Sequence, residues 1–140
     1  LNMRNNLRTG RMVYTTDDMG STWKAHESSG KLEEPVCMAS LIMVKAEDNV
    51  LGQDILLFSN PATTKGRFNM TIKASLDYGR TWLGHDSILL DEEHGWGYSG
   101  LSMIDRETVG ILYESSTGHM TFQAVKLKDF IRPIRVKDNL

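Results

Sequence analysis

The sequence predicts an all-β protein built from β-propeller blades. Three observations predict it: short strand-like runs recur along the chain, no stretch keeps a 3.6-residue apolar period, and one eight-residue motif occurs twice. The runs are rich in β-branched, aromatic and Met residues and are bounded by Gly, Asn, Asp and Ser clusters; they fall at 11–16, 36–45, 53–59, 68–75, 98–105, 108–115 and 119–126. Alternation in Met70-Thr71-Ile72-Lys73-Ala74 and in Met120-Thr121-Phe122-Gln123-Ala124-Val125 predicts strands with one buried face. The nearly continuous apolar runs at 36–44 and 55–58 predict strands buried on both faces. Leu127-Lys128-Asp129-Phe130 is the best candidate for a helical turn.

The repeated motif carries the architecture. Thr16-Asp17-Asp18-Met19-Gly20-Ser21-Thr22-Trp23 and Ser75-Leu76-Asp77-Tyr78-Gly79-Arg80-Thr81-Trp82 share [Ser/Thr]-x-Asp-x-Gly-x-Thr-Trp, 59 residues apart. Asp18 and Asp77 can accept hydrogen bonds from turn N–H groups, Gly20 and Gly79 supply a positive φ, and Trp23 and Trp82 anchor the turn. Each copy follows one strand and precedes another, and a period above about 40 residues with several strands per unit reads as propeller blades.

Composition excludes other classes. Sixteen Lys+Arg against eighteen Asp+Glu give a net charge of −2, with the basic residues scattered, so no nucleic-acid partner is expected. No apolar run approaches the ~20 residues of a membrane span. The lone Cys37 excludes an internal disulfide and reads as a small buried residue. His26, His85, His94 and His119 lack ligand spacing, so neither a metal nor another cofactor is expected. Leu1 leads directly into Leu1-Asn2-Met3-Arg4 with no initiator Met, as expected of a piece of a longer chain.

The motif resembles the Asp-box of the sialidase superfamily, which lies on the hairpin between the outer strands of a propeller blade. Asp-boxes also occur in non-catalytic propellers, so residues of another kind must carry an enzymatic reading. Leu1-Asn2-Met3-Arg4-Asn5 resembles the bacterial sialidase strand bearing the second arginine of a substrate-gripping triad, and Glu34-Pro35-Val36-Cys37-Met38-Ala39-Ser40-Leu41-Ile42 resembles the segment opening the next blade. Leu56-Leu57-Phe58-Ser59-Asn60-Pro61 with Lys65-Gly66-Arg67 is similar to the strand and loop delivering the third arginine. Gly95-Trp96-Gly97-Tyr98-Ser99-Gly100-Leu101 and Gly110-Ile111-Leu112-Tyr113-Glu114 resemble the strands bearing the nucleophilic tyrosine and the acid that buttresses the first arginine.

The resemblance implies that 1–126 form two to three four-stranded blades of a six-bladed propeller, with 127–140 a tail or closing segment. It also implies a retaining exo-α-sialidase acting on the terminal sialic acid of glycans, with a secreted, periplasmic or cell-surface location. Arg4 and Arg67 would clamp the substrate carboxylate, Tyr98 would attack, and Glu114 would buttress an arginine that no residue here matches. The family's acid Asp and base Glu are unmatched as well, so the chain alone is expected to be inactive and to need the remaining N-terminal part as partner. The alternatives are a non-catalytic Asp-box propeller that binds glycan or protein, and a trans-sialidase.

Duller readings stand beside these. Arg4, Arg8, Arg11 and Arg67 could each be surface residues, and Arg8 rivals Arg4 for the triad position. Tyr98 could be a core aromatic, Glu114 a solvated strand end, His94 a plain loop residue, and Glu33-Glu34 and Asp91-Glu92-Glu93 solvated loop charges. Trp23 and Trp82 read as anchors before sugar platforms. Gly100 stands where many relatives have Cys, and Phe68 follows Arg67 in place of a more polar residue.

Overall fold

Residues 1–7, 10–82 and 87–131 are described by the computed structural model. Arg8, His85 and the tail from 132 onward lie outside the described residues. Ten described strands form three antiparallel sheets, each strand pairing with its sequence neighbour, which short hairpin connections favour. The first sheet is β1 (Asn2–Met3), β2 (Met12–Thr15) and β3 (Lys24–Ala25). The second is a complete four-stranded blade of β4 (Ser40–Val44), β5 (Ile55–Pro61), β6 (Met70–Ser75) and β7 (Ile88–Asp91). The third holds β8 (Ser99–Asp105), β9 (Thr108–Glu114) and β10 (Met120–Lys126), after which Leu127–Phe130 forms a 3₁₀ turn. The chain is thus part of a β-propeller.

The core lies between the second and third sheets. Ile55, Leu57, Met70, Ile72 and Ala74 of one meet Val109, Ile111, Tyr113 and Val125 of the other, and Leu127 and Phe130 of the 3₁₀ turn join the same cluster. Each such aliphatic side chain contributes about 1.5–3 kcal/mol by leaving water. Strand β5 is buried on both faces, as expected: Ile55 and Leu57 face this core, while Phe58 lies beneath the Arg11 guanidinium, 5.8 Å from its ring centroid, and 5.6 Å from the Trp82 ring.

Two strand expectations fail at their start. Residues 36–39 are not strand, and β4 alternates between exposed and covered positions instead of being buried on both faces. Val36 sits at φ 62°, and Cys37 is held by its N–H and its carbonyl to Glu34 and Arg11, so neither group is available for a ladder. Likewise Asn69 at φ 57° delays β6 to Met70. The short strands β3 and β7 follow the two boxes as the motif implies, but with two and four residues they are too short to show a period and gave no run of their own in the sequence.

Both Asp-boxes adopt one geometry. In the β2–β3 connection Thr22 donates to Asp18 from its N–H (2.8 Å) and its hydroxyl (2.6 Å), Thr16 donates to Asp18 (2.7 Å), and Gly20 N–H donates to Thr16 Oγ1 (2.9 Å). Between β6 and β7 the equivalent bonds are Thr81 N–H to Asp77 (2.9 Å), Thr81 hydroxyl to Asp77 (2.6 Å), Ser75 hydroxyl to Asp77 (2.8 Å) and Gly79 N–H to Ser75 Oγ (2.9 Å). Gly20 and Gly79 adopt φ 94° and 84°, and a Cβ on each would stand 3.4 Å and 3.6 Å from the indoles of Trp23 and Trp82 respectively.

These bonds set the acidity of the box. Desolvation pushes the Asp77 carboxyl up, but the Thr81 and Ser75 hydrogen bonds outweigh it and bring it down to about 2. A folded pKa below the unfolded one gives stabilisation that is complete above the unfolded value and disappears as pH falls through the folded value. The difference in thermal midpoint between wild type and Asp77→Ala is therefore expected to stay constant from about pH 8 to 5 and to close between about pH 4 and 2. Melts followed by circular dichroism measure it, and a difference that widens on acidification contradicts it.

Candidate functional site

The residues singled out for chemistry arise from different elements. Arg4 follows β1, Arg67 lies in the β5–β6 loop, Tyr98 immediately precedes β8, and Glu114 ends β9. Because β8 and β9 pair antiparallel with Ser99 opposite Tyr113, Tyr98 and Glu114 become neighbours at one end of that sheet. Glu114 N–H donates to the Tyr98 carbonyl (2.9 Å), and Tyr98 N–H donates to the Glu114 carboxylate (3.1 Å). The described partner of that carboxylate is thus the backbone of Tyr98.

Arg67 is brought to the same place. Its Nη1 donates to the Trp96 carbonyl (2.5 Å), its own carbonyl accepts from Gly95 N–H (3.0 Å), and its guanidinium lies 5.5 Å from the Tyr98 ring centroid. Gly97 permits this approach. It sits at φ 84°, and a Cβ there would come within 2.7 Å of Pro61 Cγ, 3.2 Å of Cys37 Sγ and 3.3 Å of Arg67 Cδ, so three segments close on a position that only glycine fills without displacement.

Cys37 lies beneath the site. It is buried, and its thiol donates to the Gly97 carbonyl at 3.4 Å. Burial pushes the thiol pKa up, and the charges of Arg67 and Arg4 oppose that rise. Among the described residues neither Arg4 nor Arg67 forms an ion pair. Arg67 thus lies beside a Tyr98 that is 41% exposed. A cleft of about 600 Å³ lined by Lys31, Lys73, Arg80 and Trp82 lies elsewhere and contains none of these four groups.

Arg11 and Glu34 had been weighed as surface charges, and the structure overturns both. Their side chains are 4% and 0% exposed and paired at 3.3 Å. Arg11 donates from Nε to Asn2 Oδ1 (2.7 Å), from Nη2 to the Asn2 carbonyl (3.2 Å) and from Nη1 to the Cys37 carbonyl (2.8 Å). Glu34 accepts from the N–H groups of Asn5 (2.6 Å) and Cys37 (3.2 Å). Burial lowers the Arg11 pKa and Glu34 opposes that. The signal available in sequence was a Glu-Pro step ahead of an apolar run, which charge patterning alone assigns to a loop.

Of the remaining candidates, His94 packs edge-on against Phe68 at 5.1 Å, Asp91 accepts from Ser116 N–H (2.8 Å), and the Trp82 ring lies tilted against Phe58. Gly100 is exposed, with open space where a Cβ would be. No trio of His, Cys, Asp or Glu among the described residues could hold a metal, and no described helix is long and apolar enough to cross a membrane.

With this geometry the relatives take on meaning. A sialidase of Bacteroides fragilis (strain YCH46) is 67% identical over 133 residues, which cover 94% of this chain and 24% of that protein. The chain belongs to the sialidase family. A sialidase of Micromonospora viridifaciens is 30% identical over 143 residues, covering 99% of the chain and 22% of that protein. Among solved structures, the Hadza microbial sialidase Hz136 superposes with a TM-score of 0.87 at 64% identity over 91% of the chain and 25% of its own. The chain therefore spans about a quarter of the length of the sialidases it matches. No family model matches it.

Proposed function

We propose that this chain contributes two carboxylate clamps and the nucleophile to a retaining exo-α-sialidase that removes terminal sialic acid from glycans outside the cytoplasm. The observation that carries this reading is the guanidinium of Arg67 beside the exposed ring of Tyr98. Sialic acid bears a carboxylate on its anomeric carbon. A carboxylate nucleophile would be repelled by that charge, whereas a neutral phenol is not, which favours tyrosine over the usual acidic pair. Arg4 and Arg67 would bind the carboxylate through planar, charge-assisted forks and so fix the anomeric carbon over Tyr98.

In the first step Tyr98 Oη bonds to the anomeric carbon as the glycosidic C–O bond breaks. The phenolic proton passes to a base and the leaving oxygen takes a proton from an acid, both supplied by residues this chain does not match. Water then attacks the same carbon, giving its proton to the acid's conjugate base, and the Tyr98–carbon bond breaks as the first base returns the proton that restores the phenol. Glu114 holds the Tyr98 backbone through its 3.1 Å hydrogen bond, which supports a positioning role beside any buttressing of a further arginine.

The test uses a fluorogenic sialoside. The 140-residue chain alone is expected to show no turnover, and the full-length enzyme is expected to lose at least about a hundredfold in kcat with Tyr98→Phe. Turnover by the chain alone that Tyr98→Phe abolishes would remove the need for the other blades, and a fully active Tyr98→Phe enzyme would remove the nucleophile.

A further inference from the structure

The Arg11–Glu34 pair is buried where no solvent-mediated role exists for it, and its bonds have a pattern. Asn2 and Asn5 bracket Arg4 in the chain. Arg11 holds the side chain and carbonyl of the first, and Glu34 holds the N–H of the second. The same two side chains grip both backbone groups of Cys37, whose thiol bonds to the carbonyl of Gly97, the residue before Tyr98. Every described hydrogen bond that the two charged side chains make to other residues ends on a segment that abuts the site. The Arg11 guanidinium is covered on one side by the Phe58 ring.

We propose that Arg11 and Glu34 are positioning residues: their ion pair fixes the backbone on both sides of Arg4 and, through Cys37 and Gly97, the register of Tyr98. Arg11 touches no substrate, since its charge is consumed by Glu34 and its donors by backbone and Asn2. This rests on the reading of Arg4 as a carboxylate clamp. A buried pair adds little net stability over an apolar pair of similar size, so its retention needs another account, and setting the direction of a neighbouring charge supplies one. Misplacing a clamp by about 1 Å is enough to cost about a hundredfold in rate.

The experiment is a double-mutant cycle in the full-length enzyme, comparing Arg11→Met/Glu34→Met with and without Arg4→Ala. The paired replacement is expected to lower kcat/KM for a sialoside by about 10- to 100-fold through a raised KM, with a smaller drop in thermal midpoint than Glu34→Ala alone, which leaves the Arg11 charge buried. In the Arg4→Ala background the same replacement is expected to cost less than it does in wild type, because one of the two groups it positions is gone. Asn2→Ala, which removes one Arg11 contact without breaking the pair, is expected to shift KM in the same direction by a smaller factor and keeps the test available if the paired variant does not fold. Equal losses in both backgrounds, or unchanged KM in the paired variant and in Asn2→Ala, would overturn the proposal. Wild-type kcat/KM in Arg4→Ala alone would instead sink the clamp assignment, and the positioning role with it.

Discussion

Glu34→Ala is expected to destabilise the fold by about 3–5 kcal/mol, because it leaves the Arg11 guanidinium charged, buried and without its counter-ion. Both side chains are nearly inaccessible, so water cannot replace the lost carboxylate without opening the first sheet from the segment at 34–37. Removal of Glu34 also orphans the N–H groups of Asn5 and Cys37, each of which adds a desolvation cost. Urea unfolding measures the effect. A useful control is Asp17→Ala, which breaks the Lys24–Asp17 pair at 3.4 Å, where both side chains are more than 70% exposed and the midpoint is expected to stay within error. Equal shifts for the two variants would show that the Arg11 site is wet.

Arg67→Ala is expected to lower kcat/KM of the full-length enzyme by about 10²–10³-fold, which is about 3–4 kcal/mol of transition-state stabilisation. The guanidinium does two things at once in the proposed site. It offers a planar fork to the substrate carboxylate, and it stacks near the Tyr98 ring while tethered to the Trp96 carbonyl. Arg67→Lys keeps the charge but not the fork, so it is expected to recover only part of the loss. Steady-state kinetics on one sialoside decide it, and an Arg67→Ala enzyme within about threefold of wild type would contradict the clamp.

Much of the fold was legible because the third sheet obeys simple rules. β8, β9 and β10 fall within a residue of the expected runs; β8 and β10 alternate as half-buried strands do, while β9 is buried along most of its length. The Asp-boxes were legible for the same kind of reason: each is closed by its own side chains, so eight residues contain the whole turn. What was not legible depends on contacts distant in sequence. Apolar residues 36–39 read as strand, but Glu34 and Arg11 capture the backbone of Cys37, 26 residues from Arg11 along the chain. Arg11 itself looked like any strand-flanking arginine until a glutamate arrived from the next blade. Tyr98 and Arg67 were named from motif context; their 5.5 Å approach requires Gly97, whose need for a bare Cα arises from Pro61, Cys37 and Arg67 together.

The central claim, that Tyr98 forms the covalent intermediate of a sialidase, is tested most directly by trapping it. Full-length enzyme is incubated with a fluorinated sialosyl donor whose glycosyl–enzyme bond hydrolyses slowly, then digested and mapped by mass spectrometry. The account predicts one sialosyl adduct per active site, on the peptide containing Tyr98, and none in Tyr98→Phe. An adduct on another residue, or steady turnover that never passes through an adduct, would contradict it.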